Sequence, residues 1–149
     1  MNGHTLKDIS KLTGIPHRLV QFYADRNIVE AEIQASGGRG TPRVYSDFNL
    51  LQFQVIKGLS DIGVVVGQIQ KIISDTKLTS QLRRLVEMNL HAKDVKHYVK
   101  IFSEDGEKFW AKYHQYRDGS ECAVTVNEMD GAGVGIVINI GQIKTKRKA

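Results

Sequence analysis

The chain has 149 residues, 41% hydrophobic and 25% charged, enough apolar side chain for one or two small packed domains and too much for wholesale disorder. Its formal net charge of +5 is spread along the chain: residues 1–74 hold 8 basic and 6 acidic side chains, residues 75–149 hold 13 and 10, so any case for a nucleic-acid partner rests on local placement. Cys122 is the only cysteine, which excludes an intramolecular disulfide, and the lack of a signal-like opening or a membrane-length apolar run sets the expectation of a soluble, cytoplasmic protein.

The stretch Leu6–Tyr23 is the most informative. Leu6, Ile9 and Leu12 form one apolar helical face, with Thr5 as N-cap and Asp8 three residues on in the position usually held by Glu or Gln. Thr13-Gly14 ends that helix, and Ile15-Pro16 starts a second that runs to about Arg26, with Pro in the first turn and Asn27 as a left-handed stop. Leu19, Val20 and Phe22 face inward, while His17, Arg18 and Gln21 face outward. Two short helices around a Gly-containing turn, the second polar outside, outline a DNA-reading helix-turn-helix.

Residues 28–45 read as a hairpin. Ile28-Val29 and Val44-Tyr45 are β-prone, and Ser36-Gly37-Gly38-Arg39-Gly40-Thr41-Pro42 makes a flexible tip. Such a hairpin after a helix-turn-helix is a wing. Ser46 caps a third helix over Asp47–Ile62, stopped by Gly63. A fourth carries Ile69, Ile72 and Ile73, and a fifth runs from about Leu78 to Lys93. The last third repeats Asp-Gly at 105–106, 118–119 and 130–131, between β-prone runs at His97–Phe102, Lys108–Tyr113, Cys122–Val126 and Val134–Ile140. Asp-Gly favours tight hairpins, so these runs read as a four-stranded antiparallel meander. A helix over Glu104–Tyr116 also fits the spacing of Phe109, Trp110, Tyr113 and Tyr116. Lys144–Ala149 is a basic tail.

Candidate DNA contacts follow from side-chain chemistry. Arg18 can donate two hydrogen bonds to guanine, Gln21 can pair with adenine, and His17 can reach a base edge or a phosphate. Arg39 and Arg43 flank the wing tip as phosphate contacts, and Lys57 can reach the backbone from the third helix. Tyr23 is either a phosphate donor or a core aromatic. Tyr45 either braces the wing against the third helix or touches phosphate.

Leu6, Ile9, Leu12, Thr13-Gly14-Ile15, Arg18, Phe22-Tyr23, Arg43-Val44-Tyr45, Ile56-Lys57, Leu59, Gly63 and Ile69 together resemble the MerR family of transcriptional regulators over residues 5–73. The resemblance implies a winged helix-turn-helix reader and a homodimer on a two-fold symmetric operator in double-stranded DNA. It also implies promoter distortion, RNA polymerase as a further candidate partner, and a bacterial cytoplasm or nucleoid. The chain departs from the family pattern. Leu19-Val20-Gln21-Phe22-Tyr23-Ala24 stands for the usual Thr-Leu-Arg-Tyr-Tyr-Glu, so Gln21 replaces an arginine and Ala24 an acid. Asn27 replaces a glycine, Val65 stands where a hydroxyl usually caps the fourth helix, and the wing is long.

No cofactor or metal is expected. One cysteine cannot form a thiolate cluster, and His4, His17, His91, His97 and His114 show no ligand spacing. The aromatics at 109–116 read as sheet core or interface, or as a wall for a flat ligand. Gly131, Gly133 and Gly135 lack the Lys-Ser/Thr ending of a phosphate loop, and no catalytic constellation is legible, so no enzyme is expected. The sequence therefore reads as an α+β chain: an N-terminal winged helix-turn-helix, then a helix and a small C-terminal antiparallel β meander. Residues 1–75 bind DNA, 76–95 link or dimerise, 96–143 form a dimerisation or effector module, and 144–149 are tail. Two alternatives stand beside a promoter regulator: a DNA-bending architectural or recombination accessory protein, and a regulator whose C-terminal module takes a small molecule.

Overall fold

The computed structural model describes residues 3–35, 37 and 40–87, with the backbone of residues 95–103, 110–117 and 134–139. They fall into two compact units, one containing Met1–Ile73 and the other drawn from Ser74–Gln142. Each is built separately.

The first unit is helical. α1 spans Leu6–Thr13 and α2 His17–Asp25. α3 spans Asp47–Asp61 and α4 Val66–Ile73. Thr5 caps α1 reciprocally: the Asp8 amide donates to Thr5 Oγ1 at 3.2 Å and the Thr5 amide to Asp8 Oδ2 at 2.9 Å. The shorter aspartate therefore completes the box that Glu usually makes. Ser46 caps α3 in the same way, with Asn49 as its partner. Gly14, at φ 78°, closes α1 by donating its amide to the Ser10 carbonyl, and Asn27, at φ 53°, follows α2 in the left-handed region that Asn tolerates.

The core lies along α3. Leu50, Leu51, Phe53, Val55, Ile56 and Leu59 are buried, and Ile9, Val20, Tyr23 and Ala24 of the first two helices close over them. Ile69, Ile72 and Ile73 bring α4 onto α3. Each full burial of such a side chain stabilises by about 1.5–3 kcal/mol before the entropy of ordering is set against it.

The wing is not the hairpin that the sequence suggests. Among the described residues, the segment between α2 and α3 forms isolated antiparallel bridges, Gln34 with Val44 and Tyr45 with His4 from before α1. Ile28 and Val29, expected to pair with Val44-Tyr45, are instead buried in the core. Their β-branched shape served packing, while His4 reached Tyr45 first: each donates its amide to the other's carbonyl at 2.8 Å. Ser36, Gly38 and Arg39 at the tip lie outside the described residues.

In the second unit, α5 spans Thr76–Glu87. Asp75 accepts from the Leu78 amide at its start, and Leu78 and Leu82 are buried. The expected continuation to Lys93 lies outside the described residues. β1 spans Val95–Ser103, β2 Trp110–Arg117 and β3 Val134–Asn139, and α5 lies against β2. The expected four-stranded meander is overturned. A meander pairs each strand with the next, whereas here the order is β2-β1-β3, with both outer strands antiparallel to a central β1. Val99 stands opposite Tyr113 on one side and Ile138 on the other. Residues 118–133 separate β2 from β3, far more than a tight hairpin takes, so β3 can return to the free edge of β1. The strand expected at Cys122–Val126, the three Asp-Gly turns and the basic tail lie outside the described residues. The helical alternative for 104–116 fails where Trp110–Arg117 is strand.

Candidate nucleic-acid interface

The turn between α1 and α2 is locked by its own side chains. Thr13 Oγ1 donates to the Ile9 carbonyl at 2.7 Å and accepts from the Ile15 amide at 3.2 Å, while Ser10 Oγ donates to the Ile15 carbonyl at 2.7 Å. Buried Ile15 anchors the turn from inside. α2 then starts from Pro16 with no side-chain cap, and the Leu19 amide bonds back to the Pro16 carbonyl at 2.8 Å. His17 and Arg18 stand exposed on this first turn, and Gln21 is half-exposed one turn later. Arg18 makes no ion pair among the described residues.

Asp25 joins this face to the wing. Its Oδ1 accepts from Gln21 Nε2 at 2.9 Å and forms an ion pair with Arg43 Nη1 at 3.0 Å. His17, Gln21 and Asp25 recur every four residues, so they form one stripe along α2 with Arg43 at its end. Arg26, also exposed, stacks its guanidinium over Phe22 at 4.5 Å. The sequence reading missed both residues. The Gln21–Asp25 and Phe22–Arg26 spacings were the signals available.

Behind the surface, the base of the wing is fixed by polar groups. Asn49, 1% exposed, accepts through Oδ1 from the amides of Glu32 and Ser46, both at 3.0 Å. Its Nδ2 donates to the Glu30 carbonyl and to Gln52 Oε1, both at 2.9 Å. His4, fully buried, meets Asp47 Oδ1 through Nε2 at 2.7 Å. Tyr45 is fully buried edge-to-face on Phe53, and its hydroxyl has no partner among the described residues. Burial pushes the Tyr45 phenol above its ordinary value of 10.0, Arg43 pulls it back, and Asp25 raises it further. Tyr23 is buried as well, 4% exposed, with its ring edge-to-face on Phe22.

Lys57 lies behind the turn. Its ammonium pairs with Asp61 at 2.8 Å, and its stem passes beside Gly14. With Ile15, Pro16, Leu19, Tyr23 and Ile56 it lines a small open pocket of about 50 Å³, the space of a water or two and too small for an effector.

A short helix, a locked Gly turn, a second helix with an exposed basic and polar face, and an Arg-x-Tyr segment leading into α3 now stand together. Residues 4–76 match the family of MerR HTH regulatory proteins. This segment belongs to the MerR family. It is a MerR-type helix-turn-helix, the DNA-binding part of a transcription regulator. A comparison with curated proteins returned no match. No helix among the described residues is long and apolar enough to cross a membrane.

Against this MerR domain, the sequence-selected residues sort by position. His17, Arg18 and Gln21 share one exposed side of α2, and Arg43 reaches that side through Asp25. Lys57 stands behind the turn, and Tyr23 and Tyr45 are buried. Arg39 lies outside the described residues.

Proposed function

We propose that this chain reads a specific double-stranded DNA site with α2 in the major groove and the segment around Arg43 on the backbone. The observation that carries the reading is the exposed His17–Arg18–Gln21 face, which the locked turn and buried Ile15 hold in one orientation. Arg18, exposed and with no ion pair among the described residues, is placed to donate to guanine O6 and N7, and Gln21 to pair with adenine. Arg43, Lys57 and Arg39 supply phosphate contacts, which set register without reading sequence. Buried Tyr23 and Tyr45 act as braces for α2 and the wing base rather than as direct contacts.

The family supports a finer proposal. Two copies read a two-fold symmetric operator, with half-sites spaced by about one helical turn or a multiple of it. Residues 1–75 bind DNA, and the rest of the chain supplies dimerisation or effector contacts at a promoter.

The test is Arg18→Ala, measured by fluorescence anisotropy on a DNA site selected by the wild-type chain, at fixed salt. A bidentate guanine contact gives a specific affinity loss of about 1–3 kcal/mol. Unchanged specific affinity would remove Arg18 from base reading.

A further inference from the structure

We infer that Asp25 is a specificity-determining positioning residue, which fixes the Gln21 amide for adenine and ties the reading helix to the wing through one carboxylate oxygen. This rests on the proposed DNA reading. Gln21 Nε2 donates to Asp25 Oδ1 at 2.9 Å, and Arg43 Nη1 forms an ion pair with the same oxygen at 3.0 Å. Only the amide nitrogen can face that oxygen, because the Gln21 carbonyl would be repelled by the carboxylate. One N–H of Gln21 is thereby taken, and the carbonyl and the other N–H remain. Those two groups are what a glutamine needs to meet adenine at N6 and N7. A glutamine free at its last torsion would present its amide in both senses and discriminate less.

The same carboxylate restrains charge. Arg43 is 22% exposed on its side chain and Asp25 55%, so the pair reaches the surface with no net charge. Paired there, Arg43 keeps its other guanidinium donors for a phosphate, but the pair as a whole adds little to non-specific attraction. Asp25, in line with Gln21, supplies one carboxylate oxygen that meets both Gln21 and Arg43.

The experiment compares wild type, Asp25→Ala and Asp25→Asn on one site selected by the wild-type full chain from random DNA. Each is also measured on single-base variants of that site and across a salt series. Asp25→Ala is expected to lose roughly tenfold discrimination at the base pair read by Gln21. It should bind non-specific DNA more tightly, with the log–log salt slope steeper by about 0.9 per chain. Asp25→Asn keeps an acceptor oxygen for Gln21, so it should retain the base preference while showing the steeper slope. Asp25 is half-exposed at the end of α2, so both variants should fold, and circular dichroism would verify this. Undiminished discrimination in Asp25→Ala overturns the proposal, as does equal loss in Asp25→Asn. A wild-type chain that selects no sequence at all overturns the DNA reading itself, which separates the two failures.

Discussion

Asn49→Ala removes the side chain that ties the start of α3 to the segment entering the wing. Four hydrogen bonds of 2.9–3.0 Å go with it: the Glu32 and Ser46 amides lose their acceptor, and the Glu30 carbonyl and Gln52 Oε1 lose their donor. A net hydrogen bond contributes about 1 kcal/mol, and a buried group left unpaired costs about 1–3 kcal/mol. Asn49 is 1% exposed, but Glu32 is exposed and Ser46 keeps its bond to Glu32 Oε2, so part of the set can rehydrate. The expected destabilisation is about 2–4 kcal/mol, a large share of the ~5–15 kcal/mol that holds a domain folded. Urea unfolding followed by circular dichroism measures it, with the midpoint falling by roughly 1–2 M and the slope unchanged. Asn49→Asp should do no better, because it keeps the acceptor and loses both donors. A loss below about 1 kcal/mol in Asn49→Ala would refute the view that this side chain holds the wing base.

Other substitutions test neighbouring parts of the account. Gly14→Ala should cost about 1 kcal/mol in urea midpoint through its left-handed φ of 78° alone, since an added Cβ meets only the Lys57 stem at an ordinary 3.8 Å. Thr5→Ala removes the capping acceptor of α1 and should cost about 1 kcal/mol by the same measurement. Tyr45→Phe should leave stability unchanged or raise it slightly, because the buried hydroxyl it removes has no partner among the described residues. Tyr45 also sets a pH dependence. Its folded pKa is raised above 10.0, so its contribution is whole below pH 10 and is lost as pH climbs through the higher folded value. Melting temperatures between pH 8 and 11 should therefore fall less steeply in Tyr45→Phe than in wild type, and parallel curves would refute the assignment.

The helices were legible because their signals are local. Thr5 with Asp8, Thr13-Gly14, and Ser46 before an apolar 3.6-residue period each act within a few residues, and the structure uses each at that place. The polar side of α2 was legible for the same reason. The wing base was not. Ile28 and Val29 carry the β-branched shape of a strand, but burial decided their use, and the bridge to Tyr45 came from His4, at a distance that no local pattern encodes. The sheet order failed in the same way: Asp-Gly spacing speaks to neighbouring strands, while β3 returns to β1. The Gln21–Asp25 spacing was a local signal, but the links of Asp25 to Arg43 and of Asn49 to residues 30–32 are remote in sequence and no local pattern shows them.

The central claim is that the exposed face of α2 reads DNA sequence. Selection of bound DNA from a random-sequence pool by the full-length chain, at physiological salt, tests it most directly. The account predicts enrichment of a two-fold symmetric site whose half-sites contain a guanine lost as a preference in Arg18→Ala. A pool that stays random after repeated selection, or a site preference that Arg18→Ala leaves intact, would contradict it.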